Sequence, residues 1–146
     1  MHTKVKILPL SDKAKLPAYA TPGSAAVDIS AALDEPVFIA GGKTALIPTG
    51  FSIECEDGVV ALIFARSGLA LKKGISLANG VGVIDSDYRG EVKIALINNT
   101  SETFIVNPGD RVAQMGFFPV FTADFEVADS LNDTERGEGG FGHTGV

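Results

Sequence analysis

The densest chemistry in this 146-residue chain lies in the run Asn79-Gly80-Val81-Gly82-Val83-Ile84-Asp85-Ser86-Asp87-Tyr88-Arg89-Gly90. Two carboxylates, an amide and a phenol ring share one polar corner between apolar stretches. Asp and Ser favour corners on their own account, because their side chains hydrogen-bond the nearby backbone. Folded as a tight hairpin, the same run has the parts to surround a flat base. Its backbone groups can read the base edge while a carboxylate orients water.

Other polar groups stand where strands end or loops begin. Ala65-Arg66-Ser67-Gly68-Leu69-Ala70 closes an apolar stretch and opens a helical turn. Backbone N–H groups at a helix start, with a hydroxyl and a guanidinium beside them, make an anion site. Asp28 sits in the apolar context Ala25-Ala26-Val27-Asp28-Ile29, where an acid needs a partner, a hydrogen bond or a cation. On its own it reads first as a turn cap. Gln114 lies in the apolar stretch Val112 to Met115, suited to a buried hydrogen bond and also to a satisfied core position. From Arg136 the chain reads Arg-Gly-Glu-Gly-Gly-Phe-Gly-His-Thr-Gly-Val. Gly at that density packs no core, so the stretch is either a disordered tail or an arm that orders over a ligand. An arm would bring Arg136 as a phosphate clamp and Phe141 as a stacking ring.

The elements that must carry these groups read as strands. Phe51, Ile53 and Cys55 alternate with Ser52, Glu54 and Glu56, the period of a half-buried strand. Asp57-Gly58 supplies a hairpin turn and Val59 to Phe64 returns. Val81 to Ile84 leads into the polar corner and Glu91 to Ile97 leads out. Phe104 to Val106 meets the turn Asn107-Pro108-Gly109-Asp110, and Arg111 to Phe118 follows. The spacing predicts one short helix over Leu69 to Lys73, stopped by Gly74. Short strands between turns indicate an all-β, antiparallel sandwich or barrel.

With 17 Gly and 7 Pro, the composition favours such strands over long helices. A net charge of -6 argues against gripping a nucleic-acid polymer, although local donors or a cation still allow a small phosphate ligand. The single cysteine, Cys55, excludes an intramolecular disulfide and reads as a small core residue. Neither a signal-peptide run nor a span of about 20 apolar residues is present, so no membrane partner and a cytoplasmic location are expected.

Taken in order, these segments resemble the five motifs of the trimeric dUTP diphosphatase family. The most specific matches are Arg-Ser-Gly-Leu-Ala, Gly-Val-Ile-Asp-Ser-Asp-Tyr-Arg-Gly-Glu and the terminal Arg-Gly-Glu-Gly-Gly-Phe-Gly. The resemblance implies a jelly-roll-like barrel domain over residues 1–132 and a flexible Gly-rich arm over 133–146. It implies hydrolysis of dUTP to dUMP and pyrophosphate, which keeps uracil out of DNA and supplies dUMP. Asp85 would activate the water, Asn79 and the backbone of Gly82, Val83 and Ile84 would read uracil, and Tyr88 would lie under the deoxyribose. Arg66, Ser67, Gly68 and Gln114 would hold the phosphate chain, while Arg136, Phe141 and Gly142 would arrive from the arm. Asp28 would act through water on Mg2+ carried by the triphosphate. The resemblance also implies a homotrimer with shared sites. Three positions depart from the family pattern: Ala65 stands for a proline, Ala26 for a glycine and His143 for a serine or threonine. A dCTP deaminase of the same fold and a dUTP-sensing regulatory module are the competing readings.

Overall fold

The computed structural model describes residues 2–140. Its strands are β1 (Val5–Pro9), β2 (Val27–Ser30), β3 (Val37–Ile39), β4 (Thr44–Pro48), β5 (Phe51–Cys55) and β6 (Val59–Phe64). Helix α1 (Ser67–Lys73) follows, then β7 (Ile75–Leu77), β8 (Gly82–Ile84), β9 (Lys93–Asn98), β10 (Phe104–Val106) and β11 (Arg111–Pro119). All described strand pairs are antiparallel. One sheet runs β2-β11-β6-β8 and another β4-β9-β7, with the pairs β1-β5 and β10-β3 beside them.

Strict alternation became strand as expected. Phe51, Ile53 and Cys55 turn inward and are buried, and so do Ile94 and Leu96 on β9. They meet Ile29, Ile63, Ile75 and Met115 from other strands in one core. Each such side chain taken fully out of water contributes about 1.5–3 kcal/mol. Burial pushes the Cys55 thiol up, which keeps it a protonated core group. Among the described residues no helix is long and apolar enough to cross a membrane.

The turns, however, do not make hairpins. Gly58 takes φ 77° and Val59 N–H donates to the Glu56 carbonyl at 3.1 Å, so Asp57-Gly58 does turn the chain. Yet β5 pairs with β1 while β6 pairs with β11 and β8. Likewise β8 pairs with β6, whereas β9 lies between β4 and β7. The 79–90 run is therefore a corner that carries the chain from one sheet to another. A turn signal specifies reversal but not the pairing partner; the partner is chosen by which faces must be buried together.

Helix α1 begins at Ser67, earlier than expected, because Arg66 holds the extended N-cap conformation at φ -84°, ψ 129°. It stops where predicted, at Gly74 with φ 65°, whose N–H returns to the Ala70 and Leu69 carbonyls. The sheets end at Pro119, and Val120 N–H makes a last tie to the Gly58 carbonyl at 2.9 Å. Beyond it Phe121, Phe125, Val127 and Leu131 are almost wholly exposed.

Candidate active site

The structure gathers the predicted residues into two groups. The first lines a cavity of about 370 Å³ and contains Asn79, Gly82, Val83, Ile84, Asp85 and Tyr88. That volume lies at the lower end for small-molecule sites, which run from about 300 to 1,000 Å³. Ile63, Leu77 and Ile94 give the cavity apolar walls, and Glu91 and Lys93 add charge to its lining.

Pairing explains how β8 reaches this wall. Gly82, Val83 and Ile84 pair with Ile63, Leu62 and Ala61 of β6. A Cβ on Gly82 would stand 3.0 Å from the Ile63 Cβ, so glycine permits the close approach. Asp85 follows β8 directly and is exposed to water. Its carbonyl accepts the Tyr88 N–H at 3.1 Å. The Arg89 guanidinium ties the turn by donating to the Ser86 and Tyr88 carbonyls at 2.7 and 3.1 Å. An apolar slot, a water-exposed carboxylate and a ring at the same cavity can hold a flat ligand and direct water against it.

The second group surrounds Asp28. Its Oδ1 accepts Arg66 Nε and its Oδ2 accepts Arg111 Nη1, each at 2.9 Å. A further Arg66 nitrogen donates to the Arg111 carbonyl at 3.3 Å. Gln114 pairs with Asp28 across β2 and β11. Its Nε2 donates to the Ala65 carbonyl at 2.9 Å, pinning the start of the Arg66-Ser67-Gly68 loop. Asp28 is thus ion-paired to two arginines, and the Gln114 amide is bonded to the loop backbone. Ser67 and Gly68 are exposed in the first turn of α1, which no side chain caps. Two guanidinium groups on one carboxylate leave net positive charge and spare N–H donors, the equipment of an anion site.

Nothing local in the sequence singles out Arg111. In a regular strand, residues three apart face opposite sides, which would separate Arg111 from Gln114. The register shifts between Arg111 and Ala113, so that Arg111 opposes Ser30 and Ala113 opposes Ile29. Val112 is thus the extra residue of a β-bulge, and the bulge turns Arg111 onto the face of Asp28 and Ser30. The available signal was an acid in an apolar strand, for which a cation is one of the compensating partners.

The structure does not bring everything together. None of Asp28, Arg66, Ser67 or Gln114 lines the 370 Å³ cavity. Arg136 is likewise absent from that lining; its Nε donates locally to the Gly139 carbonyl at 2.7 Å. Phe141, Gly142 and His143 lie outside the described residues. Among the described residues no three or more His, Cys, Asp or Glu side chains group to hold a metal.

The dUTPase family model matches residues 12–145. A deoxyuridine 5'-triphosphate nucleotidohydrolase of Desulfitobacterium hafniense is 60% identical over 146 residues, covering 98% of this chain and 97% of the relative. The enzyme of that name from Sodalis glossinidius is 50% identical over 144 residues, covering 97% and 95%. Among solved structures, a point mutant of Staphylococcus bacteriophage 80alpha dUTPase with dUpNHpp superposes at TM-score 0.90 and 24% identity, covering 98% of this chain and 99% of that one. A mutant dUTPase from phage phi11 of S. aureus, described for its coordination of a structural Mg(II) ion, gives TM-score 0.81 at 23% identity, covering 89% and 99%. At such identities the structures speak to the fold.

Proposed function

The chain belongs to the dUTPase family, and from that membership we infer the reaction: dUTP is hydrolysed to dUMP and pyrophosphate. The observation that carries a mechanism is the meeting of Asn79, Asp85 and Tyr88 around one small cavity. Uracil enters this cavity, read by Asn79 and by the backbone of Gly82, Val83 and Ile84. The tight corner leaves no room for a 5-methyl group. Tyr88 lies beneath the deoxyribose and rejects a 2′-hydroxyl. Asp85, exposed at the end of β8, takes a proton from the water that attacks the α-phosphorus in line; the bond to the bridging oxygen breaks and pyrophosphate leaves.

Arg66, Ser67, Gly68 and Gln114 hold the phosphate chain. The Asp28 carboxylate fixes Arg66 through Nε, so its remaining N–H groups are pre-oriented for a phosphate oxygen. Arg136 clamps the γ-phosphate from the arm over 133–146, with Phe141 and Gly142 covering the base. Asp28 would meet Mg2+ only through water, with the triphosphate offsetting the positive charge of the two guanidinium groups. Each of its oxygens accepts one arginine bond, leaving lone pairs for metal-bound waters. A single carboxylate, with no larger acidic group among the described residues, fits an ion held chiefly by substrate phosphates. When bound, the ion neutralises charge on the triphosphate.

A homotrimer with shared sites accounts for two further features. The phosphate group and the nucleoside cavity share no lining residue within one chain, as expected when each site draws on neighbouring subunits. The exposed Phe121, Phe125, Val127 and Leu131 then complete a neighbour's barrel, so that residues 1–132 form the barrel domain of the assembly. A cytoplasmic location suits work on a nucleotide pool and a lone reduced cysteine.

Replacing the base tests the mechanism. Asp85→Asn keeps shape but cannot accept a proton. It should bind dUTP like the parent and lose about 10²–10⁴-fold in kcat, the usual contribution of a general base. Unchanged turnover would remove Asp85 from that role.

A further inference from the structure

Gly90 is a glycine without a conformational reason. Its φ is not among the positive values that favour glycine in this chain. What it lacks is room. A Cβ at Gly90 would stand 2.5 Å from Cζ and 3.0 Å from Cε2 of Tyr88, and would overlap the phenol oxygen. The Tyr88 ring therefore lies directly on the Gly90 backbone.

The ring is seated at both ends. Its hydroxyl donates to the Glu91 carbonyl at 3.2 Å. The Glu91 carboxylate in turn accepts the Gly50 N–H at 2.9 Å, which fastens the seat to the corner between β4 and β5. The Tyr88 backbone is held from the other side through the Asp85 carbonyl and Arg89. With the backbone fixed at these points, a methyl group on Gly90 can be accommodated only by moving the ring. The same ring lines the 370 Å³ cavity.

We propose that Gly90, together with the Glu91 carbonyl, is a specificity-determining seat: it sets the height of the Tyr88 ring and thereby the rejection of ribonucleotides. The inference rests on the reading that Tyr88 lies under the sugar. Rejecting one added hydroxyl by shape is a matter of fractions of an ångström, and a displacement of about 1 Å at a positioning group costs up to about 10²-fold. Gly90 touches no substrate in this scheme; it acts through Tyr88, and Asp85 keeps its place.

The test is a double-mutant cycle of Gly90→Ala with Tyr88→Ala, reading the ratio of kcat/KM for dUTP to that for UTP. Gly90→Ala alone should lower the ratio by about tenfold or more, with kcat for dUTP largely kept. In the Tyr88→Ala background the same substitution should change nothing, because the ring it displaces is gone. An unchanged ratio with the ring present, or an equal loss in both backgrounds, overturns the seat. If Tyr88→Ala alone keeps the parent ratio, the sugar reading of Tyr88 fails instead, which is a separate result. A second readout needs no substrate. The chain has 2 Tyr and no Trp, so in Tyr19→Phe the emission belongs to Tyr88. Gly90→Ala should make that emission more accessible to acrylamide, and unchanged quenching would contradict a displaced ring. Should Gly90→Ala fail to fold, recovery of folding in the double variant supports the clash, and failure of both shows that Gly90 serves the backbone.

Discussion

Asp28 illustrates what single residues disclose and what they withhold. An acid flanked by Val27 and Ile29, both buried, left a partner, a hydrogen bond, a cation or a turn cap open, and the structure places one cation, Arg66, on it at 2.9 Å. That Arg111 supplies a second was hidden, because the bulge at Val112 overrides simple alternation. The Arg66 fork is what such a site needs: Nε faces Asp28 while the Nη groups remain for the Arg111 carbonyl and an anion. Arg66→Lys keeps the charge but loses the fork. It should raise KM for dUTP about tenfold, roughly one charge-assisted hydrogen bond, with stability little changed. An unaltered KM, measured by initial rates, would show that charge alone suffices there.

At the level of elements, the alternating runs and glycine turns were readable, and the pairing was not. β5 falls where alternation placed it, and β6 and β10 where apolar runs between turns did, because both signals are local. The partners of β8 and β9 lie far along the chain and depend on sheet packing, so the expected hairpin over 79–90 became an inter-sheet corner. The corner still presents Asp85 and Tyr88 to one cavity. Helix α1 was foreseen from its stop signal, and that signal is testable. Gly74 combines φ 65° with a close approach, its absent Cβ falling 2.5 Å from the Thr100 Cγ2. Gly74→Ala should therefore destabilise the fold by about 1–3 kcal/mol, the cost of a strained left-handed residue. Denaturant melts check this, and kcat at saturating dUTP should stay as in the parent. A loss below about 0.5 kcal/mol would mean that the turn relaxes without strain.

Across the whole molecule, the separation of the phosphate group from the nucleoside cavity is the feature least legible in sequence, where all five motifs look like parts of one site. Motif order says nothing about which copy of the chain supplies each motif. If sites are shared, two inactive chains can repair one another. A chain bearing Asp85→Asn and a chain truncated before Arg136 should each lose most activity. Refolded together, they should regain turnover well above the sum of the two, because some sites then combine an intact Asp85 with an intact arm. Activity that stays at the sum would place each site within a single chain. Pyrophosphate release from dUTP, dTTP, dCTP and UTP, with Mg2+ and then with EDTA, tests the hydrolysis of dUTP most directly. Turnover of dUTP that needs the metal, with the other nucleotides nearly inert, is the predicted result. Ammonia released from dCTP without pyrophosphate, or silence on every nucleotide, would contradict it.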